Sequence, residues 1–393
     1  MKIVFLSNYF NHHQQPVSEA LYRKPGVTFH FIATTSMPAQ RKNLGYHMET
    51  LPGYVCSAST PAGQKAALAL LRESDVVITG SAPEKMVRRV IKDHKLVFRY
   101  SERPLKKREP LKYLPRLLRW HWRNPPGKPV YLLCASGYAA KDYAKFGLFR
   151  NRAYQWGYFP ETKRYDRFHS LLAQKTVTDI LWCGRFLDWK RPEDAIRAAG
   201  LLKEAGYAFR LRFIGGGDRE GRLRALVREL ALEDRVEFLG TMQPEQVRGY
   251  MEQAGIYLFT SGRQEGWGAV LNEAMNSGCA VIASHAIGAV PFLIRDGENG
   301  LVYPSGDVTG LWDKLRYLLD HPEAQKRVGK AAYETIVAEW NAEVAAERLT
   351  NLAQAILDGE PFPGLYTSGP CSPAARISER ENSYERKANS VSH

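Results

Sequence analysis

Short apolar runs alternate with helix-compatible stretches along nearly the whole chain, and this alternation restricts the fold more than any other feature. KIVFLS (2–7), VTFHFIA (27–33), DVVIT (75–79), KLVFRY (95–100) and VYLLC (130–134) are too short for helices and largely apolar. They read as strands buried on both faces. AGQKAALALLRES and PEKMVRRVIKDH, which lie between them, suit helices. Strand–helix alternation indicates a parallel sheet covered by helices. The pattern then restarts with TDILWCG (178–184), RLRFIGG (210–216), VEFLG (236–240), IYLFTS (256–261), CAVIAS (279–284) and GLVYP (300–304). The expected fold is therefore α/β, with two successive doubly wound, Rossmann-like domains at 1–160 and 161–361. The final helical stretch, 345–359, can close the second domain or pack back on the first. Residues 362–393 are polar, lack a core pattern and are expected to be disordered.

The length of 393 residues allows two or three domains, each with a real core. No apolar run reaches about 18 residues, so no transmembrane helix is expected. The start, MKIVFLSNYF, turns polar at Asn8 and reads as a first strand, not a signal peptide. Cys56, Cys134, Cys183, Cys279 and Cys371 form no CxxC pair, which fits a reducing cytoplasm and not a zinc or disulfide scaffold.

Charge is uneven. Residues 1–170 hold 29 Lys+Arg against 11 Asp+Glu, whereas residues 171–361 hold 22 against 27. An anionic partner is expected for the first half only: nucleic acid, acidic lipid headgroups or a phosphorylated carrier. Segment 103–128 concentrates nine Lys+Arg and one acidic residue among Leu117, Leu118, Trp120 and Trp122. It suits an anionic membrane surface or nucleic acid, and equally a solvated basic helix.

Phosphate chemistry gathers at strand ends in the second half. Gly184-Arg185 follows one strand directly and Lys190 comes five residues after Arg185. Ligands of doubly wound sheets bind outside the carboxyl ends of strands. There an arginine fork and a mobile lysine charge suit a diphosphate. Gly215-Gly216-Gly217 marks a tight turn but lacks the spacing of a dinucleotide fingerprint. After IYLFTS comes a glycine-bearing loop with Gly266, Trp267 and Gly268, then a helix from Ala269 to Asn276. Unpaired amides at such a helix start favour an anion. Glu265 and Glu273, with seven residues between them, would accept hydrogen bonds from neutral hydroxyls on either side of it.

Glu265 and Glu273, with Gly184-Arg185 and Lys190 upstream, resemble the retaining GT-B glycosyltransferases of family 4 (glycosyl transferases group 1). The resemblance continues through Gly278-Cys279-Ala280-Val281-Ile282-Ala283, Gly288, Pro291-Phe292-Leu293-Ile294, Asp296 to Val302 and Pro304. It covers residues 178 to about 320. It implies GT-B architecture, two Rossmann-like domains facing each other across a cleft, with the donor in the C-terminal domain and the acceptor in the N-terminal one. By resemblance, Arg185 and Lys190 neutralise the diphosphate leaving group, Glu265 contacts donor-sugar hydroxyls and Glu273 the ribose. Gly184, Gly215, Gly216, Gly266, Trp267, Gly268 and Ala269 would line the donor. No metal or cofactor is implied, and no DxD pair is evident.

The first half departs from the family pattern. Its first loop, Asn8 to Pro16, lacks the usual glycine pair, and Tyr100-Ser101-Glu102-Arg103 stands where many members place a histidine. His12, His13, Glu102 and Arg103 are the acceptor-side candidates by location. The expected function is retaining transfer of a hexose-type sugar from a nucleotide-diphosphate donor to a glycan or lipid-linked acceptor hydroxyl, in bacterial surface polysaccharide or glycolipid biosynthesis. The expected place is the cytoplasm, peripheral to the membrane's inner face. Alternatives are a nucleotide-sugar epimerase or other GT-B enzyme, a non-catalytic sugar-nucleotide binder, and a basic nucleic-acid-binding protein.

Overall fold

Every residue of Val76–Thr79 and Val130–Cys134 is buried, as strands covered on both faces require. The computed structural model describes residues 1–38, 50–106 and 113–379. The chain divides into two units, Met1–Glu161 with Glu339–Ile377, and Thr162–Ala338 with the segment beginning at Ser378.

The first unit holds strands β1 (Lys2–Ser7), β2 (Thr28–Ala33), β3 (Val55–Ser57), β4 (Val76–Thr79), β5 (Leu96–Ser101), β6 (Val130–Cys134) and β7 (Ala153–Gln155). They form one parallel sheet in the order β3-β2-β1-β4-β5-β6-β7. Val4, Leu6, Val77 and Val97 pack beneath Leu71, Val87 and Val90 of the flanking helices. The second unit holds β8 (Thr176–Cys183), β9 (Arg210–Ile214), β10 (Val236–Phe238), β11 (Ala254–Phe259), β12 (Ala280–Ser284) and β13 (Leu301–Tyr303). Their order is β10-β9-β8-β11-β12-β13, again all parallel. Its core joins Ile180, Trp182, Phe213, Ile256 and Ile282 to helix residues such as Ile196, Leu202 and Leu223.

Of the two places that the sequence left open for the last helix, Ala342–Leu357 takes the second: it belongs to the first unit. One expectation changes. Residues 362–379 are not disordered. Ala374 N donates to the Ala153 carbonyl (2.9 Å), Gln155 N to the Ser372 carbonyl (2.8 Å) and Cys371 N to the Gln155 carbonyl (2.8 Å). These bonds cover the open edge of β7, and Cys371 and Ser372 are fully buried. Backbone pairing of this kind needs no apolar pattern, so composition did not reveal it. Residues 380–393 lie outside the described residues. No helix among the described residues is long and apolar enough to cross a membrane.

Candidate active site

In the second sheet, strand order reverses between β8 and β11. The loops leaving those two strands flank a topological switch point, where doubly wound sheets bind ligands. They carry Gly184 to Lys190 and Thr260 to Ala269, so the topology brings together the two segments that the sequence singled out. Backbone bonds lock the loops to each other. Gly262 N donates to the Trp189 carbonyl (2.7 Å). Thr260 Oγ1 donates to the Lys190 carbonyl (2.7 Å) and accepts from the Trp182 indole (2.9 Å).

Lys190 ends a single turn of 3-10 helix, Asp188–Lys190. Its ammonium pairs with Glu265 Oε2, with both side chains mostly buried, and lies 4.8 Å from the Trp189 ring centroid. Lys190 and Glu265 were expected on different parts of one ligand; here each satisfies the other across the switch point. Arg185 is exposed and its side chain makes no ion pair among the described residues. The loop after β8 thus carries one exposed guanidinium and one lysine that is neutralised internally.

Glu273 is half-buried in the first turn of the helix Val270–Asn276, which begins one residue later than expected. Burial raises its carboxyl pKa above the ordinary value, and the Arg248 guanidinium partly offsets this. Arg248 comes from the helix Pro244–Gln253 and donates to the Glu273 carbonyl (3.1 Å) and to Asn276 Oδ1 (3.1 Å). It therefore caps the end of the Glu273 helix, a role the sequence did not signal. The neighbouring Cys183 thiol is pushed up to about 12, mainly by burial, with Glu273 adding and Lys190 opposing. It is no nucleophile near neutral pH.

Several glycines serve packing instead of ligand contact. The Gly184 amide donates to the Ile214 carbonyl (2.9 Å) and the Gly215 amide to the Gly240 carbonyl (2.8 Å), so neither is left for a phosphate. Gly215, at φ +135°, lies so near Gly184 that a Cβ would sit 1.9 Å from the Gly184 carbonyl oxygen. The Gly216 carbonyl accepts from the Phe186 amide (2.9 Å). Trp267 is likewise corrected. Its indole has 0% exposure and donates to Asn272 Oδ1 (2.9 Å), so only its backbone can serve the site. Gly266 is buried beside it, and Ala269 precedes the helix, half-buried. Gly268 has φ +93°, and a Cβ there would lie 2.5 Å from the Phe259 ring. Gly268→Ala is expected to cost about 3 kcal/mol, measured as a lower urea midpoint at unchanged m. An unchanged midpoint would show that the loop relaxes freely.

Two rim groups escaped the sequence reading. His285 follows β12; its Nδ1 accepts from the Ser305 amide (3.0 Å), and burial lowers its pKa. Arg263, on the Glu265 loop, pairs with Glu379 of the C-terminal segment.

In the first unit the four candidates separate. Arg103 is buried, paired with Asp142 (3.2 Å) and 4.7 Å from the Tyr138 ring centroid, so it is a core ion pair and not a ligand group. His12, His13 and Glu102 remain half-buried at the carboxyl ends of the strands. Within the basic segment, residues 107–112 lie outside the described residues. The helix Tyr113–Arg123 turns Trp120 inward against Phe146 (4.3 Å) and leaves Leu114, Leu118 and Trp122 exposed. Arg88 lies 3.9 Å from the Trp122 ring centroid.

Residues 164–335 match the family model described as glycosyl transferases group 1. The putative colanic acid biosynthesis glycosyltransferase WcaL of Escherichia coli (strain K12) is 33% identical over 191 residues, covering 47% of this chain and 47% of that protein. The amylovoran biosynthesis glycosyltransferase AmsK of Erwinia amylovora is 31% identical over 180 residues, covering 44% of each. The chain thus spans about half the length of the curated relatives it matches. Anabaena Alr3699/HepE, solved in complex with UDP, superposes with a TM-score of 0.67 at 16% identity, covering 90% of this chain and 100% of that one. Sucrose-phosphate synthase from Thermosynechococcus elongatus gives 0.64 at 17%, covering 91% and 99%. Such structural likeness shows the fold: α/β, two Rossmann-like units of the GT-B class.

Proposed function

We propose that the chain, whose residues 164–335 match the glycosyl transferases group 1 model, is a retaining, metal-independent glycosyltransferase using a nucleotide-diphosphate sugar. The observation that carries this reading is the switch-point constellation: exposed Arg185, Lys190 paired with Glu265, and Glu273 one helix turn in. Arg185 forks the diphosphate. Lys190 shares its charge between Glu265 and the phosphate, so its position is set before the donor arrives. Glu265 receives donor-sugar hydroxyls and Glu273 the ribose, both as acceptors. UDP is the first nucleotide to test, since it is the one bound in the HepE structure.

Glu265 is held by a lysine and lies on a loop, which suits hydroxyl contact better than nucleophilic attack. The step is front-face transfer. The acceptor oxygen bonds to the anomeric carbon as the carbon–oxygen bond to the diphosphate breaks, and the acceptor proton passes to the departing phosphate. Catalysis comes from positioning and from cations facing the charge that develops on the leaving group. A thermal-shift screen with UDP-, GDP- and ADP-sugars, followed by assay of nucleotide release, tests the reading. Stabilisation by none of them would overturn it, and interconversion of the sugar without release would make the enzyme an epimerase.

The acceptor is a glycan or lipid-linked hydroxyl, and the first unit meets an anionic membrane surface from the cytoplasmic side. Leu114, Leu118 and Trp122 recur every four residues, so they form one exposed helical stripe, flanked by arginines of the most basic part of the chain. Two of the three are aliphatic and the Trp122 ring is covered by Arg88, which favours lipid over nucleic acid, since nucleic acid stacks on open aromatic faces. Cosedimentation with phosphatidylglycerol vesicles is expected, falling at high salt and in Leu118→Glu. Equal binding to phosphatidylcholine would remove the electrostatic part of the proposal.

A further inference from the structure

The first unit has its own switch point, between β1 and β4, where the sheet order reverses. Three segments bring side chains to this end of the sheet: the loop after β1, the end of β5 and the turn after β7. Glu102, just beyond β5, is held at both oxygens. Oε1 accepts from Tyr158 Oη at 2.9 Å, and Oε2 pairs with the Lys106 ammonium. The carboxylate side chain still has 28% exposure, and a carboxylate has about four acceptor positions, so it keeps capacity for hydroxyls from outside.

Tyr158 is also an aromatic wall. Its ring lies 5.7 Å from Tyr100 and 5.9 Å from His13, which in turn lies 3.7 Å from His12.

We propose that Glu102, Tyr158 and His13 form a saccharide subsite that reads the hydroxyls of a neutral sugar on the acceptor. The reading rests on the chain being a glycosyltransferase. Lys106 pairs with Glu102, so these two side chains together offer no net charge to an anion. It combines hydroxyl acceptors with aromatic faces that pack against the C–H face of a pyranose, and these are the two demands that a neutral sugar makes. Glu102 is the residue that sets specificity, because each of its free acceptor positions selects a hydroxyl of one orientation.

Saturation-transfer NMR on the full chain, with a panel of neutral methyl hexopyranosides and their 6-phosphates, tests this. At least one neutral glycoside is expected to bind. Glu102→Gln and Tyr158→Phe should each weaken it about tenfold, the scale of one lost charge-assisted hydrogen bond, with melting unchanged. Glu265→Gln should leave glycoside binding intact. The proposal is overturned if no glycoside binds, if the 6-phosphates bind more tightly, or if Glu265→Gln abolishes binding while Glu102→Gln does not. Nucleotide-sugar binding, followed by thermal shift on the same samples, keeps the two readings apart. Its loss alone would sink the glycosyltransferase assignment and leave a Glu102-dependent saccharide site standing.

Discussion

Arg185→Ala is expected to lower nucleotide release in the presence of acceptor by about 100-fold, the usual scale for one lost charge-stabilising contact. Stability should change by less than about 0.5 kcal/mol. The separation follows from exposure. Arg185 makes no ion pair among the described residues, so removing it orphans no buried partner. Its effect must then appear only when a diphosphate is present. Arg185→Lys is expected to fall between, since lysine keeps the charge and loses the bidentate fork. A variant with normal kcat/KM, or one whose melting falls as activity falls, would remove Arg185 from the leaving-group site.

The parts of this fold that were legible share one property: their signal is local. The three-residue strands β10 and β13 sit in the longer apolar runs VEFLG and GLVYP and show a pattern, whereas β3 (VCS) and β7 (AYQ), equally short, have no such run around them and escaped notice. The C-terminal segment escaped for a related reason. It is ordered by backbone bonds to β7, which any composition can make.

The same distinction divides the site. Arg185, Lys190, Glu265 and Glu273 follow strand ends closely, so a strand prediction also locates them. Arg248, His285 and Glu379 reach the same region only through tertiary packing, and no spacing announces them. Glu102 and Arg103 show the limit at single-residue scale. They are adjacent in sequence and equally attractive as candidates. Successive side chains of an extended segment point to opposite sides, and here one stays half-exposed while the other pairs with Asp142 in the core. The glycines make a complementary point. A glycine beside a phosphate and a glycine beside another backbone look alike in sequence, and Gly215 is of the second kind.

Lys190→Ala should differ from Arg185→Ala in a way that only the structure predicts. Lys190 and Glu265 pair with side chains 13% and 10% exposed. Removing the lysine leaves a buried carboxylate without its cation, at a cost of about 3 kcal/mol, and also removes a charge from the leaving-group site. Activity and stability should therefore fall together, with activity down by at least about 100-fold. Lys190→Ala/Glu265→Ala separates the two effects. With both charges gone, no uncompensated carboxylate remains, so much of the lost stability should return, and a double-mutant cycle on urea unfolding should show strong coupling. Activity should not return, because the double variant lacks both the diphosphate cation and the sugar-hydroxyl acceptor. Additive stability losses would show that the ion pair contributes nothing to the fold. Recovered activity would show that Lys190 serves only to restrain Glu265, leaving Arg185 to neutralise the leaving group alone.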